Sequence, residues 1–114
     1  MIEGGQVYLR AWVDGVQRHA PGSGQARSWV DMPAWERAST TAVYEMVRAF
    51  VEAGGTDRLS RVQKGQFVHL CWLAQVHKHL DSPTTADWDA LPTWHQETNT
   101  DVFDHIEDLI LGRH

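Results

Sequence analysis

Apolar residues recur every three to four positions in four stretches of this chain, and glycine, proline or a polar run separates each stretch from the next. Val7, Ala11, Trp12 and Val16 put one apolar stripe on a helix over about residues 3–20, which PGSGQARS then breaks. Pro33 suits the first turn of a second helix, where its missing N–H costs nothing. That helix spans 34–53 and carries Trp35, Ser39, Val43, Val47 and Phe50, with Tyr44 and Val51 beside them. Gly54-Gly55 ends it. Ser60 and Gln63 have the spacing of a capping box. In the third helix that follows, Val62, Phe67, Leu70, Cys71 and Ala74 form one face, which Trp72, Val76 and Leu80 widen. DSPTTAD interrupts again, and Pro92 opens a last helix over 93–111. Val102, Phe103, Ile106, Leu109 and Ile110 make its stripe, and Gly112 closes it.

The second pair of stretches restates the first. At an offset of 60, Gly5, Gln6, Trp12, Val16 and His19 fall on Gly65, Gln66, Trp72, Val76 and His79, five identities in the sixteen positions from Gly5 to Ala20. At an offset of 59, Trp29, Pro33, Trp35, Thr41 and Val43 fall on Trp88, Pro92, Trp94, Thr100 and Val102. Conservative pairs such as Met32/Leu91, Tyr44/Phe103 and Val47/Ile106 fill in between. All six tryptophans pair off. Such a period is the signature of an internal repeat. The expectation is an all-α protein: one domain over 1–114 with four main helices, built as two tandem helix-loop-helix repeats, 1–57 and 58–114, related by a pseudo-two-fold axis. The stretches 21–32 and 81–91 are expected to run extended over the surface, with Trp29 and Trp88 tucked down as plugs.

Length and charge narrow the classes of function. A chain of 114 residues can bury one core without covalent staples. Its apolar runs fall far short of the roughly 18 residues that span a bilayer. The beginning, MIEGGQVYLR, shows no basic leader followed by an apolar run, and the lone Cys71 gives no disulfide framework, so a cytoplasmic location is expected. The net charge of −5 is shared by both halves, with five basic and seven acidic residues in 1–57 and five and eight in 58–114. Nucleic-acid affinity rests mainly on Lys and Arg neutralising phosphates, so neither nucleic acid nor membrane is an expected partner.

Candidate chemistry is sparse. His77 and His79 are two apart and face different sides of a helix, and no third ligand accompanies them, so no metal or other cofactor is expected. His95/Asn99 and His105 with Asp101 or Asp108 have usable spacings, but as pairs on solvated faces. Cys71 sits where the first half has Ala11 and reads as a small buried hydrophobe rather than a nucleophile. No phosphate loop, nucleophile elbow or carboxylate pair is present. Gly5 and Gly65 read as positions of close helix approach, with Gln6 and Gln66 beside them.

Trp29 and Trp88 follow loops and precede Met32-Pro33 and Leu91-Pro92. They can staple the loop to the core, or line a cleft with Gln6, Arg37, Gln66, His95 and Gln96 that suits a small planar or sugar-bearing ligand. These seven are the candidate ligand-binding residues.

Two resemblances attach to these motifs. QKGQFVHLCWLAQVHKHL and ADWDALPTWHQETNTDVFDHIEDLI resemble short uncharacterised proteins of actinobacteria and their phages, a group from which no activity carries over. Each half is also similar, more distantly, to the RyR repeat of ryanodine receptors, which pairs a Trp-bearing helix with a loop, an aromatic-xx-Leu-Pro turn and a second helix. Trp12, Trp29 and Met32-Pro33, then Trp72, Trp88 and Leu91-Pro92, carry that plan here. The chain lacks that repeat's longer loop. The resemblance implies a non-catalytic sensor or interaction module, with a protein or a small, nucleotide-like ligand as partner.

The sequence therefore points to a non-catalytic binding or adaptor domain working through the groove between its halves or an exposed helix face. The alternatives are a self-associating module, such as a homodimer, and a small enzyme with a His or carboxylate site. Positions where the halves disagree, Arg37 against Gln96, Glu36 against His95 and Asp14 against Ala74, are where a role beyond the fold is expected.

Overall fold

A computed structural model describes residues 4–22, 28–77 and 87–113. They form four α-helices: α1 (Gly4–His19), α2 (Ala34–Glu52), α3 (Arg61–Val76) and α4 (Thr93–Leu111). Three short 3₁₀ turns, Trp29–Asp31, Thr56–Arg58 and Trp88–Ala90, stand before α2, α3 and α4, and no strand occurs among the described residues. The fold is all-α. None of these helices is long and apolar enough to cross a membrane.

Local chemistry accounts for the helix limits. Pro33 and Pro92 stand at the N-caps of α2 and α4, one position before the first helical residue, both in extended conformation. Ser60 caps α3 with the full reciprocal box: its hydroxyl accepts from the Gln63 N–H at 3.1 Å, and its own N–H donates to the Gln63 side chain at 2.9 Å. Beyond α2 the chain turns through Gly54 (φ 90°) and Gly55 (φ 87°), a left-handed pair in which a side chain would be strained.

The helices interlock rather than stack in pairs. α1 packs on α4 as extensively as on α2, α3 packs chiefly on α4, and α2 touches both α3 and α4. The core is built from Tyr8 and Ala11 of α1, Val43, Val47 and Val51 of α2, Val68 and Cys71 of α3, and Val102, Phe103 and Ile106 of α4. Phe50 and Phe67 stack at 4.4 Å, and Phe103 meets both edge-on. One ion cluster is drawn into this end. The Glu107 carboxylate, 3% exposed, accepts from Thr56 Oγ1 at 2.5 Å and Lys64 Nζ at 2.9 Å, and Arg113 lies 3.0 Å away. Burial alone would raise its pKa, but these bonds and charges bring it below the ordinary carboxylate range.

Two expectations need correction. The stretches before α2 and α4 are not extended where they are described: Trp29 and Trp88 each begin a 3₁₀ turn, while residues 23–27 and 78–86 lie outside the described set. The face assigned to α3 is also wrong in part. Val62 and Leu70 are 55% and 65% exposed and Ala74 is exposed, because at about 100° per residue they lie on the arc turned away from Val68. Leu80 lies outside the described residues.

The glycines at the heads of α1 and α3 have a direct packing reason. A Cβ built on Gly5 would come within 2.5 Å of Trp29 Cη2 and of Thr41 Oγ1. One built on Gly65 would meet Trp88 Cη2 at 2.7 Å and Thr100 Oγ1 at 2.5 Å. Each tryptophan edge thus occupies the space of a missing side chain. Gly65→Ala is expected to lower the unfolding free energy by about 1–2 kcal/mol in urea titration, overpacking of about 1–3 kcal/mol outweighing a helix-propensity gain of up to about 1 kcal/mol. A stabilised variant would show that the Trp88 ring yields freely.

Candidate ligand cavity

Three helices each present an i, i+4 pair to the same space. Tyr8 and Trp12 come from α1, Glu36 and Thr40 from α2, His95 and Asn99 from α4; Leu9, Met32 and Trp72 complete the lining. The partly open cavity they line has a volume of about 180 Å³. An apolar cavity of about 150 Å³ suffices for a benzene ring, so this space takes one ring or a group of similar bulk. Sequence-matched positions converge here: Trp12 with Trp72, Glu36 with His95, Thr40 with Asn99.

Glu36 and His95 occupy corresponding places, the third residue of α2 and of α4. The positive end of a helix dipole favours the carboxylate and disfavours a cation there. Glu36 is 9% exposed. His95 packs edge-on to Trp12 at 4.9 Å, stacks on Trp94 at 5.2 Å and lies 6.2 Å from His69. Burial, helped by the His69 charge, pushes its pKa down to about 4, so the ring is neutral at physiological pH. Tyr8 is raised well above the ordinary phenol range by burial, then by Cys71 and Glu36, and remains a hydroxyl. Its ring stacks on Trp72 at 6.2 Å with 14° between planes.

Asn99 is the outlying group. It is 2% exposed, and its side-chain amide nitrogen is buried with no hydrogen-bond partner. Leaving a buried donor unmade costs about 1–3 kcal/mol. The pairing of His95 with Asn99, expected on a solvated face, lies instead on this wall, because the first turns of α4 face α1 and α2 rather than solvent.

The other sequence candidates do not gather at one place. Gln6 and Trp29 border a shallow depression beside Arg10 and Asp14, and Trp29 with Arg37 borders another along α2. Gln96 donates to the Trp88 carbonyl at 2.8 Å, fastening the 3₁₀ turn to α4, and Gln66 is exposed on α3. Only His95 of the seven lines this cavity. Trp12 and Trp72 read as core in the sequence, Tyr8, Leu9 and Thr40 were not singled out, and Asn99 stood out only by its spacing from His95; the mismatch of Glu36 with His95 pointed to this spot. Cys71 is buried, and its thiol is pushed up to about 11 by that burial, which makes it a poor nucleophile. Among the described residues no group of three or more His, Cys, Asp or Glu side chains is placed to hold a metal ion.

Comparison with known protein families, characterised proteins and solved structures finds no significant match to this chain.

Proposed function

We propose that this chain is a non-catalytic, cytoplasmic binding module whose ligand is a small molecule seated among α1, α2 and α4. The observation that carries this reading is that Asn99, whose side-chain amide nitrogen is buried and unpartnered, is one of the residues lining an aromatic cavity. A few convergent polar groups in a largely apolar pocket are the usual design of a small-molecule site. An acceptor atom on the ligand would satisfy Asn99 once its amide turns toward that space. The state of His95 favours binding over catalysis: a general acid or base works best with a pKa near the operating pH, whereas a ring titrating near 4 is a neutral hydrogen-bonding group at pH 7. A sensor of this kind is what a likeness to the RyR repeat implies. A whole nucleotide is the less suited occupant, since the cavity takes one ring and the Glu36 carboxylate repels phosphate.

The test is a panel of single-ring and ring-sized compounds, neutral, anionic and cationic, titrated into ¹⁵N-labelled protein. At about 0.5 kcal/mol per heavy atom, an eight-atom fragment binds with about 4 kcal/mol, a Kd near 1 mM, so millimolar concentrations are required. At least one compound is expected to shift the Asn99 side-chain amide and the Trp12 and Trp72 indole signals, and Asn99→Leu should weaken it about tenfold. Silence at all three groups across the panel would exclude a ligand here.

A further inference from the structure

The cavity's walls carry information about charge as well as size. Tyr8, Trp12 and Trp72 supply aromatic surface from α1 and α3, and the Tyr8 and Trp72 planes are within 14° of parallel. Glu36 adds a carboxylate at the head of α2. No lysine or arginine lines the space among the described residues, and the one basic side chain there, His95, is neutral at pH 7. A phosphate or carboxylate placed here would meet the Glu36 carboxylate among aromatic side chains, with no cationic partner among the lining residues. A cation would meet attraction from both.

We infer that the occupant is a cationic amine, a quaternary or methylated ammonium, held against Tyr8, Trp12 and Trp72 with Glu36 as its counter-charge and an oxygen of the ligand accepting from Asn99. This rests on the reading of the cavity as a binding site and adds the class of ligand.

Three physical points favour it over a neutral ring. A cavity of about 180 Å³ gives a small ammonium room to lie off-centre against one of its aromatic rings, inside the roughly 6 Å of a ring centroid at which cation–π attraction operates. A methylated ammonium is weakly hydrated and apolar at its surface, so aromatic walls compensate its desolvation where they would not compensate a bare ammonium. The buried Asn99 donor requires an acceptor that a simple tetraalkylammonium lacks, which points to a ligand bearing a hydroxyl or carbonyl a few bonds from its charged head.

Choline and 3,3-dimethylbutan-1-ol test this directly, because they share shape and hydroxyl and differ in charge. In NMR titrations of the wild-type protein, choline is expected to move the Trp12, Trp72 and Asn99 signals and to bind at least about tenfold more tightly than the neutral alcohol, as cation–π and carboxylate attraction together provide. Glu36→Gln should narrow that ratio to about threefold or less by weakening choline alone. The wild-type ratio stands even if the variant folds poorly. Equal or tighter binding of the alcohol would overturn the cationic ligand and leave the binding site in place. If neither compound nor any member of the fragment panel moves these signals, both the ligand class and the site are wrong.

Discussion

Phe103→Ala is expected to lower the free energy of unfolding by about 3–5 kcal/mol, the usual loss for a large aromatic removed from a closed core. The side chain is 0% exposed on α4. Its ring meets Phe50 of α2 and Phe67 of α3 edge-on, and the Lys64 ammonium lies 5.6 Å from its centroid. One truncation therefore loosens three helices and the support of a buried charge cluster. Domains of this size are stable by only about 5–15 kcal/mol, so the variant loses a large share of its stability and its urea midpoint should fall steeply. Trp12→Ala and Trp72→Ala provide the contrast. As core residues they would cost as much as Phe103, but both are only partly buried and part of each faces the cavity. Their expected losses are about 1–3 kcal/mol, in proportion to the smaller apolar area withdrawn from water. Losses at Trp12 or Trp72 equal to that at Phe103 would show that the cavity closes in solution.

The same contrast marks where sequence reasoning works. Periodicity, two prolines, two glycine stops and a capping box are local signals, and all four helices lie where those signals put them, from Gly4 to Leu111. Which arc of α3 faces inward was not legible, because Val62 and Leu70 are as apolar as Val68 and only the position of α4 decides among them. The site was less legible still. Tyr8, Thr40 and Asn99 are far apart in the chain and unremarkable in type, and they become a wall only when α1, α2 and α4 interlock. Tryptophan pairing drew attention to Trp29 and Trp88, whose task is to fill the space above Gly5 and Gly65. The better signal was disagreement at matched positions. Glu36 against His95 marks a place where a shared backbone position carries opposite chemistry, and both side chains reach the cavity.

That place also governs how stability should respond to acid. His95 titrates near 4 in the folded chain against an ordinary value of 6.5. At pH 7 the folded chain does not hold the proton and the unfolded chain holds it only in small part, so stability is close to its full value. Below 6.5 the unfolded chain takes it up while the folded chain does not, so stability falls with pH until about 4, where both states are protonated and the loss levels off. The full displacement corresponds to a loss of about 3 kcal/mol, and the ring's partial contact with solvent reduces the expectation to about 2 kcal/mol, of which about 1–2 kcal/mol should appear between pH 7 and 5. Glu107 acts at lower pH. Its carboxyl is held below the ordinary range, so the stability it contributes is present above that range and is lost only as the pH drops through it. Glu107 therefore acts outside the window from 6.5 to 5, and within it a His95 variant separates His95 from the other histidines. Urea unfolding at pH 7, 6 and 5 should show the wild-type midpoint falling, and His95→Gln, which cannot titrate, should remove most of that slope. A slope unchanged in the variant would assign the acid sensitivity to another group and would mean that His95 accepts its proton as readily in the fold as outside it. The Trp12 contact and the neutral wall that the cavity presents to its occupant at pH 7 depend on that difference.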